Sequence, residues 1–157
     1  MLMNKHSKLP REQAGVMLLE ALIAILVFSL GILSLVALQA TSIKLTGDAK
    51  YRTDATLLAN RLIGQMWVSG GDLATLTNNF ASAGPGAAYT AWLSDVAGTE
   101  GLPGVVAASS GVVSTLPTVT VDGAGVVEIT LFWRTPEMAT DVPGHRHVVV
   151  SQVVRNP

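Results

Sequence analysis

The chain has 157 residues, enough for one modest folded domain and little more. Hydrophobic residues make up 49% and charged residues only 13%, against about 25% charged in an average soluble protein. A net charge of −1 gives no electrostatic reason to bind nucleic acid, and the lack of cysteine excludes disulfides and thiolate metal sites.

The first fifteen residues are polar and basic. They carry Lys5, Lys8 and Arg11 against Glu12, so their net charge is +2, whereas the rest of the chain carries −3. A short basic segment before an apolar helix predicts that the N-terminus stays in the cytoplasm and that the following domain lies in the periplasm. We interpret residues 1–15 as a leader peptide.

Residues 16–38 form the apolar part of the chain. Only Glu20, Ser29, Gly31 and Ser34 interrupt this stretch, which as a helix is about 35 Å long and spans a bilayer core. In a secretory signal peptide the small residues of the cleavage site follow the apolar region. Here Gly15 precedes it, so cleavage after Gly15 leaves the transmembrane helix attached to the mature protein.

Residues 39–69 predict an amphipathic continuation of the same helix, roughly fifty residues in total. The segment has no proline, and Ser69-Gly70-Gly71 is a plausible stop. Apolar residues recur at helical spacing, and we expect their stripe to pack on a sheet. The stripe consists of Leu38, Leu45, Ala55, Leu58, Leu62 and Met66.

Residues 70–157 predict a C-terminal globular domain. Asp72 is a candidate cap for a short helix through Phe80, and residues 87–96 predict a second helix that brings Trp92 and Val96 together. Strands are expected at 105–108, 117–121, 126–134 and 146–154, with a hairpin turn at 122–125.

The predicted fold class is α+β, a long N-terminal helix packed on a small antiparallel sheet of three or four strands. The strand at 126–134 has the clearest pattern, because its apolar and polar residues alternate with the period of a half-buried strand. Val127, Ile129, Leu131 and Trp133 are expected to face the core, opposite Glu128, Thr130, Phe132 and Arg134.

Gly15 and Glu20 form the most informative constellation. A carboxylate at the head of an otherwise uncharged membrane helix is unfavourable unless it has a partner. Cleavage after Gly15 creates one, since the new α-amine of Val16, with a pKa of about 7.7–8.0, is cationic at neutral pH. Glu20 then pairs with this amine or with that of a neighbouring subunit, which sets the stagger of packed helices.

This string, a glycine five residues before a glutamate at the start of an apolar helix, resembles the processing signal of type IV prepilins and type II secretion pseudopilins. The resemblance covers residues 15–66 (GVMLLEALIAILVFSLGILSLVALQA and ALLANRLIGQM) and is loose beyond them, in AWL, LPG and EITLFW. It implies a type IV pilin-like fold, cleavage between Gly15 and Val16 by a prepilin peptidase, N-methylation of Val16 and a role for Glu20 in assembly.

The longer string is similar to the minor pilins of the pilus modification subfamily. Val16 stands where phenylalanine or methionine is commoner, no proline kinks the apolar segment, and no disulfide closes a C-terminal loop. These departures suggest a minor subunit. The implied partners are the prepilin peptidase, other minor pilins, the major pilin and the inner-membrane assembly platform. The implied location is the inner membrane as a single-pass protein and then the pilus base or tip at the cell surface.

Two alternatives stay open. A minor pseudopilin of type II secretion shares every motif above, and an uncleaved single-pass inner-membrane protein with a periplasmic binding domain shares the helix. The chain has no spacing typical of a nucleophile elbow or a phosphate loop, so we predict no enzyme, cofactor or small-molecule substrate. His145 and His147 share a strand face, but we expect an exposed polar edge there and no metal site. The tryptophans Trp67, Trp92 and Trp133 are expected in the core.

Overall fold

The computed structural model of the protein describes residues 11–70 and 72–153, with side chains from residue 15 onward. Within these residues it contains three helices and a three-stranded antiparallel sheet. The chain divides into two compact units, Met1–Thr46 and Gly47–Pro157. The expected α+β layout, a long apolar N-terminal helix followed by a small antiparallel sheet, is confirmed.

Helix α1 spans Arg11–Val68, 58 residues. It therefore begins before Gly15 and not at residue 16 as predicted. The reason lies in residues 11–14, arginine, glutamate, glutamine and alanine, which all have high helix propensity and directly follow a proline. The helix ends as expected, because Ser69 bonds back to the carbonyl of Gln65 and Gly70 adopts a positive φ of 92°.

The buried stripe of α1 is shorter than predicted. Ala55, Ala59, Leu62 and Met66 have no exposed surface and Leu58 is half-buried, whereas Leu38 and Leu45 are 66% and 65% exposed. Because Leu38 and Leu45 are exposed, the prediction that the whole stripe is buried was wrong for them. The core-facing part starts at Tyr51 and Ala55.

Two short helices follow α1. Helix α2 spans Leu73–Phe80 and α3 spans Ala87–Val96, as expected. The carboxylate of Asp72 accepts hydrogen bonds from the backbone N–H of Thr75 (2.8 Å) and from its hydroxyl, which caps α2 and lowers the pKa of Asp72. In α3 the indole Nε1 of Trp92 donates to the carbonyl of Leu58 (3.0 Å).

The sheet has the order β1-β2-β3, with β1 at Thr118–Val121, β2 at Val126–Trp133 and β3 at His145–Gln152. Asp122 closes the β1–β2 hairpin, because its carboxylate accepts from the backbone N–H of Ala124 and Val126. The buried face predicted for β2 is confirmed, since its odd-numbered residues from 127 to 133 are all buried. The opposite face is less exposed than predicted, because Thr130 is buried and Phe132 is half-buried, and only Glu128 is exposed. The odd-numbered residues share one core with α1, α2 and α3. That core also contains Leu76, Phe80, Tyr89, Trp92, Val96, Leu102, Val119 and Val153.

The strand predicted at 105–108 is wrong. The hydroxyl of Thr115, a fully buried residue, donates to the carbonyl of Gly104 (2.6 Å) and accepts from the N–H of Val106 (2.8 Å). The side chain of Thr115 thus takes part of the place of a neighbouring strand, beside one backbone bond from the N–H of Thr115 to the carbonyl of Val106 (2.9 Å). The isolated bridge between Ser109 and Val112 lies just beyond this segment. The last residue of the strand predicted at 146–154 lies outside the described residues.

Candidate functional site

Val16 and Glu20 lie one helical turn apart on α1. Four residues advance a helix by about 6 Å and bring the two side chains to the same face. Val16 is 66% exposed, and Glu20 is exposed as well. An α-amine created at Val16 by cleavage would therefore lie beside the Glu20 carboxylate of the same helix or face that of a neighbouring helix.

Gly15 lies inside the helix, so the peptide bond between Gly15 and Val16 is helical in the uncut chain. No heavy atom lies within 4 Å of a Cβ built on Gly15, so packing does not demand a glycine here. A glycine in a helix interior is about 1 kcal/mol less favourable than alanine. Gly15 is thus a local weak point at the bond that the sequence predicts to be cut.

The basic leader is only partly described. Lys5 and Lys8 lie outside the described residues. Arg11 is the first residue of α1, and its side chain also lies outside them.

The apolar segment of α1 has no buried face. Every large hydrophobic side chain between residues 16 and 38 is between 46% and 72% exposed. Among the described residues α1 is the one helix long and apolar enough to cross a membrane, with a mean hydropathy of 2.8 in its most apolar part. A soluble monomer rarely exposes an apolar patch of more than a few hundred Å². This surface therefore needs lipid or other apolar helices around it.

The two hydroxyls of the apolar segment are bonded within the helix. Ser29 Oγ donates to the carbonyl of Ile25 (2.7 Å), and Ser34 Oγ donates to that of Leu30 (2.9 Å). Their polar hydrogens therefore do not point at the surroundings, and Glu20 is the one ionisable group between residues 15 and 43.

His145 and His147 lie together on the inner face of β3, as their spacing predicts, but they are half-buried and do not form an exposed polar edge. The ring of His145 stacks on Trp133 with 5.6 Å between centroids. His147 Nε2 lies 3.1 Å from the hydroxyl of Thr56, whose proton goes to the carbonyl of Arg52. The contact between His147 and Thr56 links β3 to α1.

Arg134 is a buried cation that sequence reasoning missed. The alternation of apolar and polar residues predicts that the Arg134 side chain faces outward. In the structure Arg134 directly follows the last residue of β2, and it is only 5% exposed. Its guanidinium donates to the carbonyls of Val113 (2.6 Å) and Val142 (3.0 and 3.1 Å). No local pattern signals this role, because the acceptors are backbone groups of distant loops.

The prediction that all three tryptophans lie in the core was wrong for Trp67, which is 46% exposed.

Shallow depressions occur among the described residues of the C-terminal unit. One, of about 260 Å³, is lined by Pro103, Arg134, Pro136, Met138 and neighbouring residues. Another, of about 330 Å³, surrounds an exposed ion pair between Arg61 and Asp95 (3.0 Å). Both are open to solvent, and neither lining contains a histidine or a cysteine to activate a nucleophile.

The chain was compared with protein-family models, curated proteins and solved structures. None of these comparisons finds a match.

Proposed function

We propose that the protein is a minor pilin of the PilV type, with a type IV pilin-like fold. A prepilin peptidase cuts it between Gly15 and Val16, and the mature chain enters a complex that primes a type IV pilus or lies at its tip. The observation that carries the proposal is the wholly exposed apolar helix with a single carboxylate one turn from the predicted new N-terminus.

The charge arrangement supports assembly over simple anchoring. A plain membrane anchor needs no carboxylate, and one near the membrane interface is unfavourable without a partner. Cleavage gives Glu20 such a partner, the α-amine of Val16 in its own chain or in the next. The pairing also explains how an apolar helix, which has no directional contacts of its own, acquires a fixed stagger against its neighbours.

Cleavage at a helical bond requires local unwinding, because proteases act on extended substrates. Gly15 supports this step, since it weakens the helix at the cleavage site and leaves open space around its α-carbon.

The experiment is intact-mass analysis and N-terminal sequencing of the membrane-extracted protein from cells with an active prepilin peptidase. We expect a mature chain that starts at Val16, and an uncut chain for Gly15→Ala. The matched control is Gly31→Ala, which adds the same methyl group to the same helix where nothing lies within 4 Å. A wild-type chain that retains residues 1–15 would contradict the proposal and favour an uncleaved single-pass protein.

A further inference from the structure

The β1 and β3 edges of the sheet differ in the hydrogen bonds that their outward-facing backbone groups make. At the β1 edge, the backbone N–H of Ser82 donates to the carbonyl of Val119 (3.0 Å), and Ser82 Oγ accepts from the N–H of Val119 (3.1 Å). Ser82 thus occupies the outward-facing N–H and carbonyl of Val119, in the middle of β1, and blocks regular pairing of a further strand there. This is a common protection of edge strands in monomeric proteins.

The β3 edge lacks this protection. In the β2–β3 register the N–H of Val153 donates to the carbonyl of Gly125 (3.0 Å), so the odd-numbered residues of β3 bond to β2. The backbone groups of Arg146, Val148 and Val150 therefore point away from β2. Among the described residues no hydrogen bond from outside the sheet reaches them. We call these three residues the β3 edge.

The side chains of the β3 edge are also exposed. Val148 and Val150 are 39% and 59% exposed, and Arg146 is exposed beside them on the outer face. A regular strand whose outward backbone groups at Arg146, Val148 and Val150 are not bonded within the described residues forms a template for strand addition. Opposite charges and β-branched pairs across neighbouring strands stabilise such pairing.

A second copy of the chain does not supply the strand that the β3 edge favours. Its β1 is blocked by Ser82 at Val119. Neither β1 (TVTV) nor β3 (HRHVVVSQ) contains a carboxylate that could pair with Arg146.

We propose that the β3 edge accepts an extended strand from a different protein chain. That strand places a carboxylate opposite Arg146 and β-branched apolar side chains opposite Val148 and Val150.

The probe is the labelled peptide acetyl-Thr-Val-Thr-Val-Thr-Glu-Thr-amide, whose glutamate meets Arg146 in antiparallel pairing. Binding to the full chain in detergent micelles is followed by fluorescence anisotropy. We expect the wild type to prefer this peptide about fivefold over one with lysine in place of glutamate. The Arg146→Glu variant is expected to reverse that preference, which mere structural damage does not do.

Val148→Pro tests the backbone contribution. Proline removes the outward N–H while the bonds between β2 and β3 remain, and edge strands tolerate it. We expect weaker peptide binding with little change in the tryptophan fluorescence melt. Equal binding by the folded proline variant, or no peptide preference in either the wild type or Arg146→Glu, would overturn the proposal. A chain dimer that Val148→Pro dissociates would also overturn it, since the occupant would then be a second copy.

Peptide binding does not depend on the leader. A chain cut at Val16 that ignores the peptide contradicts only the strand-addition proposal. An uncut chain that binds it contradicts only the proposed function.

Discussion

Replacing Arg134 by methionine tests whether the C-terminal unit is held together by its buried cation. Arg134 connects three loop segments. Its backbone N–H donates to the carbonyl of Pro103 (2.9 Å), and its guanidinium donates to the carbonyls of Val113 and Val142. Methionine keeps the aliphatic length and the backbone bond and removes the three side-chain hydrogen bonds.

The magnitude follows from the two carbonyls that lose their donor. A hydrogen bond to a charged group contributes about 1.5–3 kcal/mol. Val113 and Val142 are 39% and 41% exposed, so water replaces part of each bond. We therefore expect Arg134→Met to lower the free energy of unfolding by about 2–3 kcal/mol, which is near the lower limit for losing the charged donor of two carbonyls. For a unit the size of residues 47–157 this corresponds to a melting temperature lower by about 9–13 °C.

The assay is tryptophan fluorescence during thermal unfolding of the full chain in detergent micelles. All three tryptophans lie in residues 47–157, and Trp92 and Trp133 are buried, so the signal reports on this unit. Arg146→Met is the matched control, because Arg146 is exposed on β3. A melting temperature for Arg134→Met equal to that of the control would refute the assigned role.

Three further predictions concern other parts of the chain. Glu20→Gln keeps the side-chain volume and removes the charge. We expect normal leader cleavage but less of the variant in sheared surface pili, measured by immunoblot. Normal incorporation of the variant would contradict the charge-pairing explanation. Ala59→Leu overpacks a site with no exposed surface and should lower the free energy of unfolding by about 1–3 kcal/mol in denaturant melts, whereas exposed Asn60→Leu should change it little. Asp72→Ala should lower the melting temperature at neutral pH, because hydrogen bonds from Thr75 lower the pKa of Asp72 below its usual 3.8. That stabilisation is present above the unfolded pKa and lost as pH falls through the folded one, so the difference from wild type should shrink in acid; a constant difference would contradict the capping role.

The sequence predicted those elements whose signals are local. The bounds of α3, the Asp72 cap and the hairpin turn at 122–125 follow from residues within a few positions of one another. The period of two in β2 likewise identified the buried face of that strand correctly.

The parts that the sequence did not predict depend on distant contacts. Arg134 follows the alternation of β2, yet carbonyls of two remote loops keep it inside. Residues 105–108 are apolar enough for a strand, but the hydroxyl of Thr115 takes the bonds that a strand would need. Ser82 blocks the β1 edge from 37 residues away in the chain, and no pattern around either residue indicates it.

The internally bonded hydroxyls of Ser29 and Ser34 have a consequence for how α1 changes its surroundings. A helix with free donors must exchange one set of hydrogen bonds for another when it passes from lipid into a helical bundle. Between residues 21 and 38 this helix has no charge to transfer, and its two serines carry their acceptors with them. If the protein is a pilin as proposed, residues 21–38 then partition between bilayer and bundle through dispersion contacts and lipid packing, and Glu20 supplies the charge contact. The thickness and fluidity of the host membrane should therefore shift this equilibrium more strongly than ionic strength does.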